Sequence, residues 1–580
     1  MDGLNQNASS LIRRLYDFVY AERDANQAQL FDIWARPVTG KLAKGWSQGF
    51  THLERGPSPQ EIWAYTDESE SRFRINDLLL LHTGHADRER ICGQLKFIAE
   101  EEGRWLLKGN LATTVWDHYQ SGHCYADPDG MDLTPYYERA LEEIASSARG
   151  RECLLPLLDS SPVITFIEQD VIDGEHFARK QGCNLRQSQA VGMALGAEQI
   201  ACIQGPPGTG KTRALSLIAE QLVARGERVF MTSHTHMAIN NALNKIASLG
   251  VPTVKVAGSR EGLDAWVSYV DDLANWDNLP ADGGYVVGAT PFATCNRLDA
   301  YTFDTVIFDE ASQITLPLAL MAMRKGSRYI FIGDQKQLPP VMLSKSILSD
   351  DSMSIFSLLT TQNADHTVML DQTYRMNQWL TEWPSQSYYK GRLKPAGNNE
   401  QRRFALDRTP SRLKEVFDPQ FSMIFIPTGD RSARTRNLTD ARWVAEICHE
   451  AHSCGLPLSQ IGIVTPFRAQ GRLIRKLLTE KFGRNEAKEV IADTVERMQG
   501  QERELIILSL ASGDEVFIRA ITEFFFQPER LNVSITRAMT KLVIIGPEVN
   551  EVPLSTNEKT QEWIAQYMSL ISRCKHARFE

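Results

Sequence analysis

Ile200-Ala-Cys-Ile203-Gln-Gly205-Pro206-Pro207-Gly208-Thr209-Gly210-Lys211-Thr212-Arg213 is the stretch on which the fold turns. An apolar run ends at Ile203, a glycine-rich loop follows, and a helical pattern continues from Arg213 to Leu222. The loop has the spacing GxxxxGK[ST] in the strand, loop, helix setting that this spacing requires. Glycines at 205, 208 and 210 let successive backbone N–H groups turn inward around phosphates, and the helix N-terminus adds partial positive charge. The sequence predicts a nucleotide site in which Lys211 reaches the β- and γ-phosphates of ATP and Thr212 holds Mg2+ through its hydroxyl.

A second apolar run, Val306-Ile307-Phe308, delivers Asp309-Glu310-Ala-Ser-Gln313. Strand C-terminal ends are where open α/β sheets bind ligands. Asp309 is expected in the Mg2+ shell and Glu310 as the general base that polarises attacking water. Paired acids after a strand are in isolation as often a solvated terminus; the phosphate loop upstream decides for catalysis.

Outward from these two segments, short apolar runs at 200–203, 228–231, 285–287, 305–308 and 329–332 alternate with helical patterns. A second series follows at 423–426, 461–464, 506–510 and 542–545. Such alternation predicts two parallel sheets covered by helices on both faces, in domains at 183–350 and 351–580 joined near 345–355. Residues 1–182 read differently. An amphipathic helix is expected over 9–30, then β-rich runs within about 31–111, including Pro37-Val38-Thr39-Gly40, 78–82 and 95–98, which fit a small barrel. Thr134-Pro135 opens a further helix.

The 580 residues suggest about four structural units at about 150 residues each. With 42% hydrophobic and 23% charged residues, dominant disorder is excluded. The balance of 63 Lys+Arg against 72 Asp+Glu, a net charge of -9, excludes a polybasic arm. No run approaches the roughly 18 apolar residues of a bilayer-spanning helix, and the opening MDGLNQNASSLIRR has no signal-peptide core, so a soluble cytoplasmic protein without membrane partners is expected. Nine cysteines, an odd number with no CxxC pair, argue against a disulfide framework and a ribbon-type zinc site. Cys448-His449-Glu-Ala-His452-Ser-Cys454 matches none of the usual zinc spacings and reads as a helix end.

Together with the phosphate loop and DEASQ, Gly333-Asp334-Gln335-Lys336-Gln337-Leu338-Pro339-Pro340 resembles a superfamily 1 helicase of the nonsense-mediated-decay helicase-like group. Asp371-Gln-Thr-Tyr374-Arg375-Met376, Ser387-Tyr-Tyr-Lys-Gly391-Arg-Leu393, Ile461-Gly-Ile-Val-Thr-Pro466-Phe467-Arg-Ala-Gln470, Thr494-Val-Glu-Arg-Met-Gln499-Gly-Gln-Glu502 and Arg530-Leu-Asn532-Val-Ser-Ile-Thr-Arg537-Ala538 continue the resemblance in family order over about 183–547. It implies two tandem RecA-like domains and an N-terminal stalk with a barrel.

The resemblance also assigns roles. Gln189 is implied to read adenine, Tyr374 to stack on it and Glu502 to contact the ribose. The loop residues Gly205, Pro206, Pro207, Gly208, Thr209, Gly210, Lys211, Thr212 and Arg213 are implied to line the phosphates. Gln337 resembles the γ-phosphate sensor, and Arg375 and Arg537 match arginine-finger positions. Single-stranded nucleic acid, DNA or RNA, is the implied partner of a monomeric motor, gripped by Ser233, His234, Thr235, Thr290, Pro466 and Phe467. The implied activity is ATP-driven 5′ to 3′ translocation and unwinding. A nucleic-acid-stimulated ATPase clamp or remodeller is the alternative, and a ring ATPase acting on proteins a third.

The chain departs from the pattern at Thr235-His236, where the family has Ser-Asn, and at Asn437-Leu-Thr-Asp440-Ala441, where it has an NxxEA box. Only some 30 residues separate Val256 from Tyr285, where larger members insert a helical subdomain.

Overall fold

The computed structural model describes residues 6–67, 71, 73, 75–84, 91–101, 103–109, 124–158, 164–280, 283–344, 354–362, 365–549 and 557–578. The expected junction at 345–355 lies mostly outside these. The chain divides into two compact units, Met1–Ser147 with Val341–Ser349, and Ala148–Pro340 with Asp350–Glu580.

In the first unit, α1 (Gln6–Trp34) buries Ile12, Leu15, Phe18 and Val19, the stripe that its apolar period dictates. A short α2 (Val38–Ala43) leads into six strands: β1 (Gln48–Arg55), β2 (Glu61–Thr66), β3 (Leu78–His82), β4 (Ile91–Glu101), β5 (Arg104–Lys108) and β6 (Cys124–Pro128). They close into an antiparallel barrel in the order β1-β2-β5-β4-β3-β6 around Phe50, Leu79, Leu81, Phe97, Trp105 and Leu107.

The barrel therefore begins and ends later than the 31–111 range expected. Pro37-Val38-Thr39-Gly40 is the start of a helix, not a strand, because Pro37 at φ -58° is set for a helix N-cap. What holds that helix is Lys41, fully buried in an ion pair with Asp127 of β6, which also accepts from Ser47 and lies 3.2 Å from His82 Nε2. Burial opposes the charge on Asp127, but His82, Lys41 and Ser47 hold its carboxyl below the ordinary value.

A final helix of this unit, α3 (Thr134–Ser146), packs on α1, where Tyr20 donates to Glu138 Oε1 at 2.8 Å. Glu22 of α1 clamps the returning segment 341–344: its carboxylate accepts from Leu343 N at 2.9 Å, Ser344 N at 2.8 Å and the Ser344 hydroxyl.

The second unit carries two parallel sheets. Residues 148–182, grouped on sequence with the N-terminal part, belong here: α4 (Glu168–Lys180) packs tightly on α5 (Leu185–Gly196), so tightly that a Cβ on Gly174 would meet Gly192 Cα at 2.9 Å. The first sheet has eight strands, β7 (Ile200–Gln204), β8 (Arg228–Thr232), β9 (Thr253–Val256), β10 (Ser268–Val270), β11 (Tyr285–Gly288), β12 (Thr305–Phe308), β13 (Arg328–Gly333) and β14 (Thr367–Met369), ordered β10-β9-β11-β8-β12-β13-β7-β14. Its central strands β7, β11 and β12 are buried at every residue, the signature of a sheet covered on both faces.

A two-stranded ladder, β15 (Gln372–Thr373) with β16 (Lys394–Pro395), precedes the second sheet. That sheet comprises β17 (Met423–Pro427), β18 (Ile461–Thr465), β19 (Ile491–Thr494), β20 (Arg503–Ser509), β21 (Ala538–Gly546) and β22 (Lys575–His576), ordered β19-β18-β20-β21-β17-β22 and parallel throughout. The architecture is two tandem RecA-like domains with a helical N-terminus and a small barrel. No helix among the described residues is long and apolar enough to cross a membrane.

Candidate active site

The loop after β7 is built for close backbone approach. Gly208 and Gly210 have φ of 73° and 84°, the left-handed region that favours glycine. A Cβ on Gly208 would stand 2.5 Å from Arg375 Cβ and 2.6 Å from Thr373 Oγ1, so the second domain presses on the loop at the residue with no side chain. Thr209 Oγ1 donates to Pro206 O at 2.7 Å, and Lys211 Nζ donates to Gly205 O at 2.8 Å, laying the lysine along the inside of the loop.

At the end of β12, Asp309 is buried and accepts from the Glu310 N–H at 2.9 Å, while Glu310 takes a left-handed φ of 50°. Burial, and then the neighbouring Glu310 charge, push the Asp309 carboxyl up to about 7 against the pull of Lys211. Gln499, from the second domain, donates through Nε2 to Glu310 Oε2 at 3.1 Å. The register of β8 with β12 pairs Thr232 with Phe308, and Asp309 N donates to Thr232 O at 3.0 Å. His234 follows β8: burial lowers its pKa, the Glu310 charge opposes, and its buried Nδ1 has no hydrogen-bond partner.

Both arginines come from the second domain. Arg375 donates through Nε to Glu502 Oε2 at 2.6 Å and through NH1 to Thr536 O at 2.9 Å. Arg537 is 2% exposed, bonds Val533 O at 2.9 Å, and turns NH2 toward Gln337 Oε1 at 3.5 Å. Burial and then the Arg375 charge lower its pKa to about 9, against Glu310 and Glu502. Tyr374, 47% exposed, donates its N–H to Gly208 O at 2.8 Å, and its hydroxyl accepts from Asn184 Nδ2 at 2.9 Å.

The structure thus brings Gly205, Pro206, Pro207, Gly208, Thr209, Gly210, Lys211, Asp309, Glu310, Gln337, Tyr374, Arg375 and Arg537 to one cleft, with half-buried Thr212 beside Lys211. Others sit differently from expectation. Gln189 accepts from its helix neighbour Arg186 at 2.9 Å, whereas buried Gln187 donates to Thr209 O at 2.9 Å and is the glutamine at the loop. Gln187 also forms a capping box with Asn184, a signal the sequence carries as Asn-x-x-Gln. Arg213 turns away to the carbonyl of Gln181, and the Glu502 carboxylate is taken up by Arg375.

Of the expected strand contacts, Ser233 is fully buried with an unpartnered Oγ, and His234 is half-buried with its Nδ1 unpartnered. Thr235 caps a helix through Ala238 N at 3.3 Å, and Thr290 and Pro466 are half-buried at their strand ends. Phe467 packs among Phe517, Phe524 and Phe525 at centroid distances of 5.8 to 6.4 Å. Among the described residues, no three His, Cys, Asp or Glu side chains converge as a metal cluster; Cys448 is buried in the core and His452 Nδ1 lies 3.0 Å from Leu456 O.

Two models of the AAA domain family match the chain, one over residues 182–396 and one over 352–549. The DNA replication ATP-dependent helicase/nuclease DNA2 of Saccharomyces cerevisiae is 28% identical over 460 residues, covering 73% of this chain and 30% of that protein. Human DNA2 is 28% identical over 411 residues, 64% of this chain and 38% of its own length. The DNA polymerase alpha-associated DNA helicase A of Schizosaccharomyces pombe is 28% identical over 448 residues, 66% of each chain. This chain spans about a third of the length of the DNA2 relatives. A solved arterivirus nonstructural protein 10 helicase aligns at 14% identity and a TM-score of 0.39 over 88% of this chain and 80% of its own, a likeness too slight to carry weight.

Proposed function

We propose that this chain is a superfamily 1 P-loop helicase, an ATP-hydrolysing motor that translocates 5′ to 3′ along a single strand and opens duplexes. The observation that supports this reading best is the convergence of Gln499, Arg375 and Arg537 of one RecA-like domain on Glu310, Gly208 and Gln337 of the other. A nucleotide held there ties the domains together, and hydrolysis weakens the tie, so each cycle closes and opens the cleft. Tyr374 beside Asn184 offers a flat ring for adenine, and Gln189, half-buried on α5, is the glutamine proposed to read its edge, since buried Gln187 already spends its amide on Thr209 O and Asn184 N.

Thr212 and Asp309 offer hard oxygen donors, and the Asp309 carboxyl, pushed up by burial and by Glu310, is one that a bound cation would hold ionised, a chemistry that fits Mg2+. When bound, the ion would neutralise charge on the β- and γ-phosphates. Glu310 would take the proton of the attacking water, oriented by Gln499, while Arg375 and Arg537 place positive charge where it builds on the transferring phosphoryl.

The relatives are named for DNA work, and we place DNA ahead of RNA as the strand and keep the nonsense-mediated-decay helicase-like subgroup as a proposal. The test is ATP turnover with matched single-stranded DNA and RNA at stated salt, together with displacement of a strand from 5′- and 3′-tailed duplexes. Stimulation with displacement from the 5′ tail is expected. Stimulation with no displacement from either tail would replace the helicase by a clamp or remodeller.

A further inference from the structure

Asp334, directly after β13, is fully buried and gathers four donors: Gln337 Nε2 at 2.9 Å and the Tyr389 hydroxyl at 2.7 Å on Oδ2, Lys336 N at 3.1 Å and Gln204 Nε2 at 3.4 Å on Oδ1. Tyr389 and Asn532 belong to the second domain. Asn532 Nδ2 donates to the Tyr389 oxygen at 2.9 Å and to Lys336 O at 2.7 Å.

The polarity of this chain of bonds is forced. A phenol has one hydrogen, and Tyr389 gives it to a carboxylate, so its oxygen must accept, and Asn532 supplies both of its amide hydrogens. At the other end, Gln337 must present Nε2 to Asp334, since the flipped amide would set oxygen against carboxylate. Its Oε1 is thereby turned toward Arg537, and its second N–H remains for a phosphate oxygen.

We propose that Tyr389 and Asn532 are positioning residues for Gln337, acting through Asp334, so that the sensor amide is correctly turned only when the second domain is docked. This rests on the reading of Gln337 as the γ-phosphate sensor. Fixing that amide from the opposite domain makes phosphate sensing conditional on cleft closure, with neither Tyr389 nor Asn532 touching nucleotide.

The test uses the full chain. Burial raises the Asp334 pKa, while Lys211 and the bonds from Gln337, Tyr389 and Lys336 restrain it. Removing the Tyr389 hydroxyl raises it further, and a protonated Asp334 would donate to Gln337 and reverse the amide. Tyr389→Phe should therefore lower kcat about tenfold, the worth of one charge-assisted hydrogen bond, with KM for ATP within about twofold. The acid limb of its kcat profile should move to higher pH, so that raising pH restores part of the loss; Asn532→Leu should shift the limb in the same direction.

An unchanged kcat, or a loss equal at every pH, would overturn the proposal. If Tyr389→Phe fails to fold, Asp334→Asn decides: it should lower kcat at every pH with KM for ATP within about twofold, leaving only the acid limb set by Glu310 and Asp309, and an unchanged kcat overturns the proposal. Lys211→Ala run alongside separates the premises, because turnover surviving there would remove the ATP site itself, whatever the Tyr389 result.

Discussion

Gln499 donates its side-chain N–H across the cleft to the carboxylate of Glu310, 3.1 Å away. The two residues lie on different RecA-like domains, so the orientation of the candidate general base depends on the position of the other domain. Gln499→Leu should lower kcat by about 10- to 100-fold, the worth of one hydrogen bond to a charged group, with little change in KM. Steady-state turnover with saturating strand checks this.

Lys211→Ala should abolish ATP turnover, and Arg537→Ala should cut kcat by about 10³-fold with nucleotide affinity nearly retained. Arg537→Lys keeps the charge but not the bonds to Val533 O and Gln337, and should recover only a minor part. Nucleotide binding by titration beside the rate measurements distinguishes a lost finger, which lowers kcat, from a lost binding contact, which raises KM.

Gly208→Ala should act through geometry. A left-handed φ costs about 1–2 kcal/mol for a residue with a Cβ, and that Cβ would meet Arg375 Cβ and Thr373 Oγ1 inside contact distance. The domains must part to admit it, so turnover should fall more steeply than nucleotide affinity, as measured by the same pair of assays.

Asp440 gives a pH prediction remote from the chemistry. Burial pushes its carboxyl up to about 6, against bonds from Gly429 N at 2.9 Å and Thr428 Oγ1 at 2.7 Å. The folded state then binds a proton more tightly than the unfolded chain, so this group's stabilisation is complete below its unfolded value near 4 and is lost as pH rises through about 6. Asp440→Asn, which keeps an acceptor for Gly429 N, should flatten that fall. Thermal unfolding of both proteins from pH 4 to 7 measures it, the difference between them isolating Asp440.

The phosphate loop and Asp309-Glu310 were legible because their chemistry is local: glycines, a lysine and acids at fixed offsets from an apolar strand. The two-sheet architecture was legible for a similar reason, buried parallel strands reading as uninterrupted apolar runs. Gln499 with Glu310 was not, since 189 residues separate them and no period encodes the pairing. Tyr389 and Asn532 lay inside quoted motifs, but their roles come from bonds to Asp334 made across the cleft. The capping box of Gln187 with Asn184 was readable as a local Asn-x-x-Gln signal, whereas the bond of Gln187 to the phosphate loop at Thr209 O was not. Ahead of the barrel, Pro37-Val38-Thr39-Gly40 looked strand-like by composition, and the pairing of Lys41 with Asp127, 86 residues away, had no local signal.

The Glu22 clamp on Leu343 and Ser344 has a practical bearing on where this protein can be cut. Six residues before Leu343 along the chain stands Gln337, and the polypeptide, having left the barrel unit at Ser147, returns to it at Val341. Trimming away the first 147 residues would not yield a smaller motor with its sensor loop intact. It would release the far end of that loop from the Glu22 carboxylate, so impaired turnover in a truncated protein would not by itself separate loss of the barrel from loss of this tether.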